Sequence, residues 1–313
     1  MRERQLIQEL IAGLPTNQNT LVPAGDDCAV VSNGDGASAL LLKVDAVVEE
    51  VHFRRSDSPR KVGRKALARC LSDVAAMGGT PDSALVSIGL RGEEDQDYVR
   101  ELYEGLAEIA RDFDVAVVGG ETVRNPGGLF VSVSLTGRAC ARGAVRRSGA
   151  RAGEAIFVSG CLGGASAGHH LEFDPRVRES LWLVDRFQVS AMIDVSDGLA
   201  TDLGTLLQQS AVGATLDEAF LPISRAARIR AREDESAKSP LLAALTDGED
   251  FELLFTVAAS DAVDLKDAWR TQFPEVPLSL IGRTERDSGL RLKQKDGVRT
   301  LGSGDGYDHF QQS

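Results

Sequence analysis

Residues 189–207, VSAMIDVSDGLATDLGTLL, constrain this chain more than any other stretch. The apolar run 191–195 reads as a buried strand, broken by Ser196, Asp197 and Gly198. Leu199, Leu203, Leu206 and Leu207 then recur at helical spacing. A strand therefore enters a tight polar turn that opens a helix, whose first N–H groups have no partners within the helix. Such a helix end attracts anions. This turn nevertheless carries two carboxylates, Asp194 and Asp197, which repel a bare phosphate. A divalent cation between them and a phosphate reverses that sign. Alternatively, Asp197 is an N-cap and Asp194 a polar strand end.

Similar carboxylates recur elsewhere. Asp27 stands in a Gly-Asp-Asp turn, Asp45 closes an apolar run, and Glu121 follows Gly119-Gly120. Asp73 lies among alanines late in a predicted helix. Unpaired carboxylates cost several kcal/mol each, roughly, to bury, so this set requires cations. Arg124, Arg146 and Arg147 are the candidates in the chain, and hard oxygen ligands of this kind suit magnesium. Spacing leaves open whether the six acids converge on one metal cluster or serve as separate caps and turns. His52 reads equally as a loop residue packed on Phe53, Glu249 as a cap of the following strand, and Tyr307 as a tail residue.

The formal net charge of −12 argues against broad nucleic-acid or anionic-membrane surfaces, though metal-bridged phosphates remain compatible with it. Four widely spaced cysteines form no CxxC pair, and HExxH is absent, which removes the zinc signatures. The opening MRERQLIQELIAGL lacks the apolar core of a signal peptide, and no run reaches membrane-spanning length. These features predict a cytoplasmic protein with no membrane partner and reduced thiols.

Length predicts two domains. The first half reads as an amphipathic helix over 3–14, a segment 22–31 that enters a strand through a Gly-Asp-Asp turn, a strand over 39–44, and a helix opened by Pro59. A strand over 84–90, a helix over 94–113 and strands over 114–118 and 130–136 follow. The Arg/Gly-rich stretch 139–153 marks the boundary, giving domains 1–139 and 140–313. The second half continues with strand 155–159, the loop GCLGGASAG, the anchoring strand and helix, and further strand–helix alternation. That loop lacks the GK[ST] ending of a P-loop. The fold class is α/β (α+β), each domain a mixed sheet covered by helices.

Eight segments then carry a resemblance. AGDDCAVV (24–31), VDAVVEEVHF (44–53), ALARCLSDVAAMGG (66–79), VGGETVR (118–124), RSGARAGE (147–154), AMIDVSDGLATDL (191–203), DGEDFELLF (247–255) and GYDHF (306–310) occur in this order. The chain resembles the thiamine-monophosphate kinase family, in the superfamily of aminoimidazole ribonucleotide synthetase and selenophosphate synthetase. The resemblance implies direct transfer of the γ-phosphoryl group of ATP onto thiamine monophosphate, with several Mg2+ ions and no phosphoenzyme. It assigns Asp27, Asp45, Asp73, Glu121, Asp194 and Asp197 to metal positions. It assigns Gly120, Arg147 and Ser196 to nucleotide contacts, and His52, Glu249 and Tyr307 to the thiamine phosphate pocket. It also implies a homodimer formed by pairing N-terminal sheets.

Three positions depart from the family's pattern: Glu121 stands where Asp is usual, Lys43-Val44 where small hydroxyl residues are usual, and Asp247 where glycine is usual. The alternatives are a non-catalytic nucleotide- or thiamine-phosphate-binding paralogue, another ATP-using enzyme of the superfamily, or a structural cation site. No catalytic Cys or Lys of the selenophosphate-synthetase type stands near the N-terminus.

Overall fold

The computed structural model describes residues 3–34, 38–92 and 95–301. Its centre is a helix, α2 (Pro59–Ala76), which follows α1 (Glu3–Ile11) and strands β1 (Thr20–Val22), β2 (Ala29–Val31) and β3 (Leu40–Val48). Pro59 occupies the first turn of α2, where a missing N–H costs nothing, and Gly78 in the left-handed region (φ 66°) turns the chain out after its end. Thirteen of the eighteen α2 residues are buried, on every side of the helix. A helix buried all round must be packed by neighbours on all faces. The buried side chains of α2 are accordingly small or apolar, with Lys65, Ser72 and Asp73 as the polar exceptions.

β4 (Gly79–Leu90), α3 (Gln96–Asp112), β5 (Ala116–Arg124) and β6 (Phe130–Ala139) complete the first half. The six strands form one sheet in the order β1-β2-β3-β6-β4-β5, antiparallel except for the β4/β5 pair. β3 alternates: Leu41 and Val47 are buried, whereas Leu42, Val44 and Val48 are exposed. The side-chain period of two puts Lys43 and Asp45 on the same face as Leu41 and Val47. Asp45 therefore sits inside a strand, not at its end as the sequence suggested, because pairing with β6 continues through Val48↔Phe130. Glu121 likewise lies inside β5, since pairing with β4 runs on through the two glycines to Arg124.

Residues 140–154 connect the halves without strand or helix. β7 (Ala155–Ser159), α4 (His169–Glu172), α5 (Val177–Arg186), β8 (Val189–Asp194), α6 (Leu199–Ser210), β9 (Gly213–Asp217), α7 (Arg225–Glu233) and α8 (Pro240–Thr246) follow. β10 (Leu253–Val257), α9 (Ala262–Gln272), β11 (Leu278–Glu285), β12 (Gly289–Gln294) and β13 (Gly297–Leu301) end the described chain. The second sheet runs β13-β12-β9-β11-β7-β10-β8, with β12/β9 its parallel pair. One face, with Ile156, Ile193 and Leu254, packs under α6 and α8. The other, with Phe157, Met192 and Phe255, joins the same apolar cluster as Leu67, Leu71 and Val74 of α2. The core is thus continuous between the two sheets, and α2 touches β3, β4 and β6 on one side and β8 and β10 on the other. Burying each of its large apolar side chains contributes about 1.5–3 kcal/mol.

α2 and α3 cross at two glycines. A Cβ on Gly63 would lie 1.8 Å from the carbonyl oxygen of Leu102, and one on Gly105 1.8 Å from that of Arg60. Because backbone cannot yield as a side-chain tip can, Gly63→Ala or Gly105→Ala forces the helices apart, at about 1–3 kcal/mol or more. Either variant should unfold at a clearly lower temperature by circular dichroism, whereas Gly13→Ala, with no atom within 4 Å of the new Cβ, should not.

Candidate functional site

The C-terminal end of α2, the end of β8 and the β1–β2 turn meet between the two sheets. There Asp73, Asp194 and Asp27 each offer a carboxylate oxygen within 4.8 Å of the other two, and all three residues are buried. Ser72 donates to Asp194 Oδ2 at 2.5 Å, a hydrogen bond that joins α2 to the second sheet. Oδ2 of Asp27 is buried with no hydrogen-bond partner. Burial, with Asp27 next, pushes Asp194 up to about 7. Asp73 is raised well above its ordinary value by burial, with Asp45, Asp194 and Asp27 adding to the effect and Lys43 opposing it. Three crowded carboxylates with an orphaned oxygen form a hard, all-oxygen donor set that fits a cation such as magnesium.

Fixed cations border this group. Arg147 from the 140–154 connection reaches Asp27 Oδ1 through Nη2 at 2.5 Å and Nε at 3.2 Å. Its backbone N–H donates to the Asp26 carboxylate at 3.2 and 3.3 Å. Asp26 is raised to about 6, by burial first and then by Asp27. Burial alone would lower the Arg147 pKa, yet Asp27 and Asp26 outweigh it and hold the side chain as a cation. On the other side Lys43 Nζ lies 2.8 Å from Asp73 Oδ1 and 3.9 Å from Asp45 Oδ1. Arg69 Nε sits 3.3 Å from Asp45 Oδ2, and its Nη1 3.9 Å from Glu249 Oε1. Lys65, fully buried, meets Glu249 Oε1 at 2.6 Å and donates to the carbonyl of His52 at 2.6 Å. Cations and carboxylates therefore alternate from the His52 loop through Lys65, Glu249, Arg69, Asp45 and Lys43 to Asp73.

The turn after β8 is held by a residue that the sequence reading passed over. Asp202 Oδ2, buried in the first turn of α6, accepts the N–H groups of Ser196 at 3.0 Å and Asp197 at 2.9 Å. The cap position of α6 is Gly198, at φ 103°, and no side chain caps it, so Asp197 is not the cap. Beside this turn runs the 247–252 segment. Glu249 N donates to Ser196 O at 2.8 Å, Phe251 N to Val195 O at 2.7 Å, and Val195 N to Glu252 O at 2.8 Å. Gly248 allows the approach, since a Cβ there would stand 2.7 Å from Ser196 O. Glu249 (φ 66°) and Phe251 (φ 52°) both adopt left-handed backbone, at a cost of about 1–3 kcal/mol each. The Phe251 ring, stacked on Phe173 with centroids 4.1 Å apart, helps to hold that conformation.

The glycine-rich loop has a different use from phosphate binding. Gly163 N donates to Asp250 at 2.9 and 3.0 Å, and Gly164 N donates to Asp247 Oδ2 at 3.0 Å. Asp247 also pairs with Arg230 and Lys238, which accounts locally for an acid at that position. Burial pushes Asp250 up to about 8.

Of the sequence-assigned positions, Asp27, Asp73 and Asp194 come together directly, Asp45 joins through Lys43, and Arg147 through Asp27. Ser196 and Asp197 lie on the turn at the end of β8, partly exposed. His52 accepts the N–H of Val48 through Nδ1 at 3.1 Å, and its loop is tied to Glu249 by Lys65. Gly120 and Glu121 are exposed on β5, an edge of the sheet, where the Glu121 carboxylate accepts the Thr122 N–H at 2.8 Å. A Cβ on Gly120 would lie 1.8 Å from Val86 O, so the strand pairing itself demands glycine there. Tyr307 lies outside the described residues. Lys65, Arg69, Asp26 and Asp202 were missed, although i, i+4 spacing of Lys65, Arg69 and Asp73 on one helix face was there to be read, and Lys43, noted only as a departure from the family's pattern, points inward to Asp73.

Two family matches and several relatives cover the same ground. Residues 25–139 match the AIR synthase related protein N-terminal domain, and residues 129–295 match its C-terminal domain. The thiamine-monophosphate kinase of Rhodopirellula baltica is 39% identical over 277 residues, 86% of this chain and 85% of that protein. The Bacillus subtilis thiamine-monophosphate kinase is 30% identical over 335 residues, 99% of this chain and 100% of its own. A solved structure described as AaThiL complexed with AMPPCP and TMP superposes with a TM-score of 0.83 at 31% identity, covering 99% of this chain and 97% of that one. The agreement runs through both sheets and the seam that holds the buried carboxylates, and the chain belongs to the thiamine-monophosphate kinase family of AIR-synthase-related proteins.

Proposed function

We propose that this chain transfers the γ-phosphoryl group of ATP to the phosphate of thiamine monophosphate, giving ADP and thiamine diphosphate. The observation that carries the reading is the buried Asp27–Asp73–Asp194 group at the seam of the two sheets, in a chain that aligns almost end to end with a structure complexed with AMPPCP and TMP. An oxygen of the acceptor phosphate forms the new bond to the γ-phosphorus, and the bond to the β–γ bridging oxygen breaks, leaving its electron pair on ADP. A phosphomonoester is largely dianionic near neutral pH, so the nucleophile needs no base. Neutralising charge and aligning the two anions then become the main tasks.

Asp27, Asp73 and Asp194 would hold Mg2+, with Asp45, Glu121 and Asp197 as further positions, and the ion would supply the positive charge that offsets the phosphates. Arg147, clamped by Asp26 and Asp27, presents a fixed cation toward the nucleotide. Asp202 fixes the Ser196–Asp197 backbone, and Ser196 and Gly120 would contact the nucleotide. Lys65 and Arg69 hold Glu249 against the His52 loop, and His52 and Glu249 would line the thiamine phosphate pocket. The division at 139/140 separates a half that bears most of the carboxylates from one that contributes Asp194, Asp197 and Glu249. Exposed Leu42, Val44, Val48 and Leu85, on the sheet face away from α2, and Val118 on β5 support a homodimer through the first sheet, checked by sedimentation equilibrium. No described helix is long and apolar enough to cross a membrane, and a cytoplasmic location fits the reduced thiols.

With ATP, Mg2+ and thiamine monophosphate, chromatography should show ADP and thiamine diphosphate in equal amounts. Asp73→Asn and Asp194→Asn should each lose roughly 10²–10³-fold in rate, as for loss of a group that stabilises transition-state charge. Binding of both ligands without products would instead mark a non-catalytic paralogue.

The raised carboxylates also fix a pH dependence. Asp26 (about 6), Asp194 (about 7) and Asp250 (about 8) hold protons more tightly folded than unfolded. Their contribution to stability is complete below the ordinary value of 3.8 and is lost as pH rises through 6 to 8. In EDTA the melting temperature should fall between pH 6 and pH 8.5, by roughly 2–4 °C for each kcal/mol lost. Stabilisation by added Mg2+ should grow over the same interval, and a flat profile in EDTA would contradict the assignment.

A further inference from the structure

Among the described residues, Asp27, Asp45, Asp73 and Asp194 line the seam, and Arg147, Arg69 and Lys43 already stand among them. Arg147 is committed to Asp27, Arg69 to Asp45, and Lys43 lies between Asp45 and Asp73. Lys43 differs from the two arginines in lying within 4 Å of two of these carboxylates, Asp45 and Asp73, where Arg147 reaches Asp27 and Arg69 reaches Asp45. Its Nζ is 2.8 Å from Asp73 Oδ1, and Asp73 is itself a member of the three-carboxylate group. β3 fixes this placement: Lys43 and Asp45 are two residues apart on one face, paired with β6 at Leu135 and Val133, while Val44 between them faces outward at 61% exposure. The Lys43 side chain is only 19% exposed, too enclosed for a surface lysine that strays onto a neighbour.

Resting on the kinase reading above, we infer that the Lys43 ammonium is a resident cation that takes the place of one divalent ion between Asp45 and Asp73. A second positive ion on the same Asp73 oxygen would be pressed against the ammonium, and like charges in an enclosed site repel strongly. The site therefore recruits one ion fewer than its carboxylates could otherwise hold. It also keeps Asp45 and Asp73 in register before any ion arrives, because their mutual repulsion is already offset.

The test counts ions rather than turnover. Mn2+ bound per chain is measured by electron paramagnetic resonance in the presence of a non-hydrolysable ATP analogue, for the wild-type protein, Lys43→Met, Lys43→Ser and Lys43→Arg. Lys43→Met and Lys43→Ser should each bind one more Mn2+ per chain than wild type, and Lys43→Arg the same number as wild type. In EDTA the Met and Ser variants should melt below wild type, and saturating Mn2+ should remove that difference. Melting curves in Mn2+ establish that each variant is folded, and a Met variant that fails to fold leaves the Ser variant to decide. Equal ion counts in the wild type and the charge-free variants would overturn the inference while leaving the kinase reading intact. A wild-type protein that binds no Mn2+ even with the analogue would sink the metal site itself, and this inference with it.

Discussion

Everything at the seam follows from crowding carboxylates where water cannot reach them. Asp27 and Asp194 are each 2% exposed and Asp73 7%, and a buried anion without a counter-charge costs several kcal/mol, roughly. The fold meets that cost in two ways: Arg147, Arg69 and Lys43 bring positive charge, and Ser72 brings a hydrogen bond to Asp194, whose pKa burial still pushes up to about 7. Each of these is incomplete, as the unpartnered Asp27 Oδ2 testifies. The remaining deficit is what a divalent cation and a phosphate chain would fill together.

The architecture makes the crowding possible. α2 lies between the sheets with almost no exposed face, so its charged residues have to be partnered by other parts of the chain. One helical face presents Lys65, Arg69 and Asp73, and β3 presents Lys43 and Asp45 opposite. The second sheet adds Asp194 from one strand end and Glu249 from a strained segment. A site assembled this way is as rigid as the core that carries it, which suits a reaction governed by positioning and charge. The same argument explains the glycines: Gly63, Gly105 and Gly248 bring backbones closer than any Cβ permits.

Much of this was legible in the sequence, for identifiable reasons. The long apolar periodicity of α2 and α6 and the alternation of β6 gave those elements directly, since burial on one face or all faces leaves its mark in spacing. The turn after β8 was legible because Ser-Asp-Gly between a strand and a helix has few other structures. What spacing did not give was where strands stop: β3 runs past Asp45 and β5 past Glu121, because pairing with neighbours, and not local composition, sets their ends. The convergence of Asp27, Asp73 and Asp194 across 167 residues of chain was likewise a tertiary fact. The cations were read too narrowly. Arginines near the acids in sequence were considered, and Lys43 only as a departure from the family's pattern, whereas Arg69 reaches Asp45 across the sheet–helix interface. The glycine-rich loop was identified, but its use as a docking surface for Asp247 and Asp250 depends on contacts more than eighty residues away.

The central claim is that Asp27, Asp73 and Asp194 share one ion that ties the two sheets to the phosphates. It is tested most directly by anomalous diffraction from a crystal grown with Mn2+ and a non-hydrolysable ATP analogue. The account predicts a manganese peak coordinated by oxygens of all three residues at once, with Asp27 Oδ2 among them. A manganese peak elsewhere, with the three carboxylates hydrogen-bonded to one another and sharing protons, would contradict it.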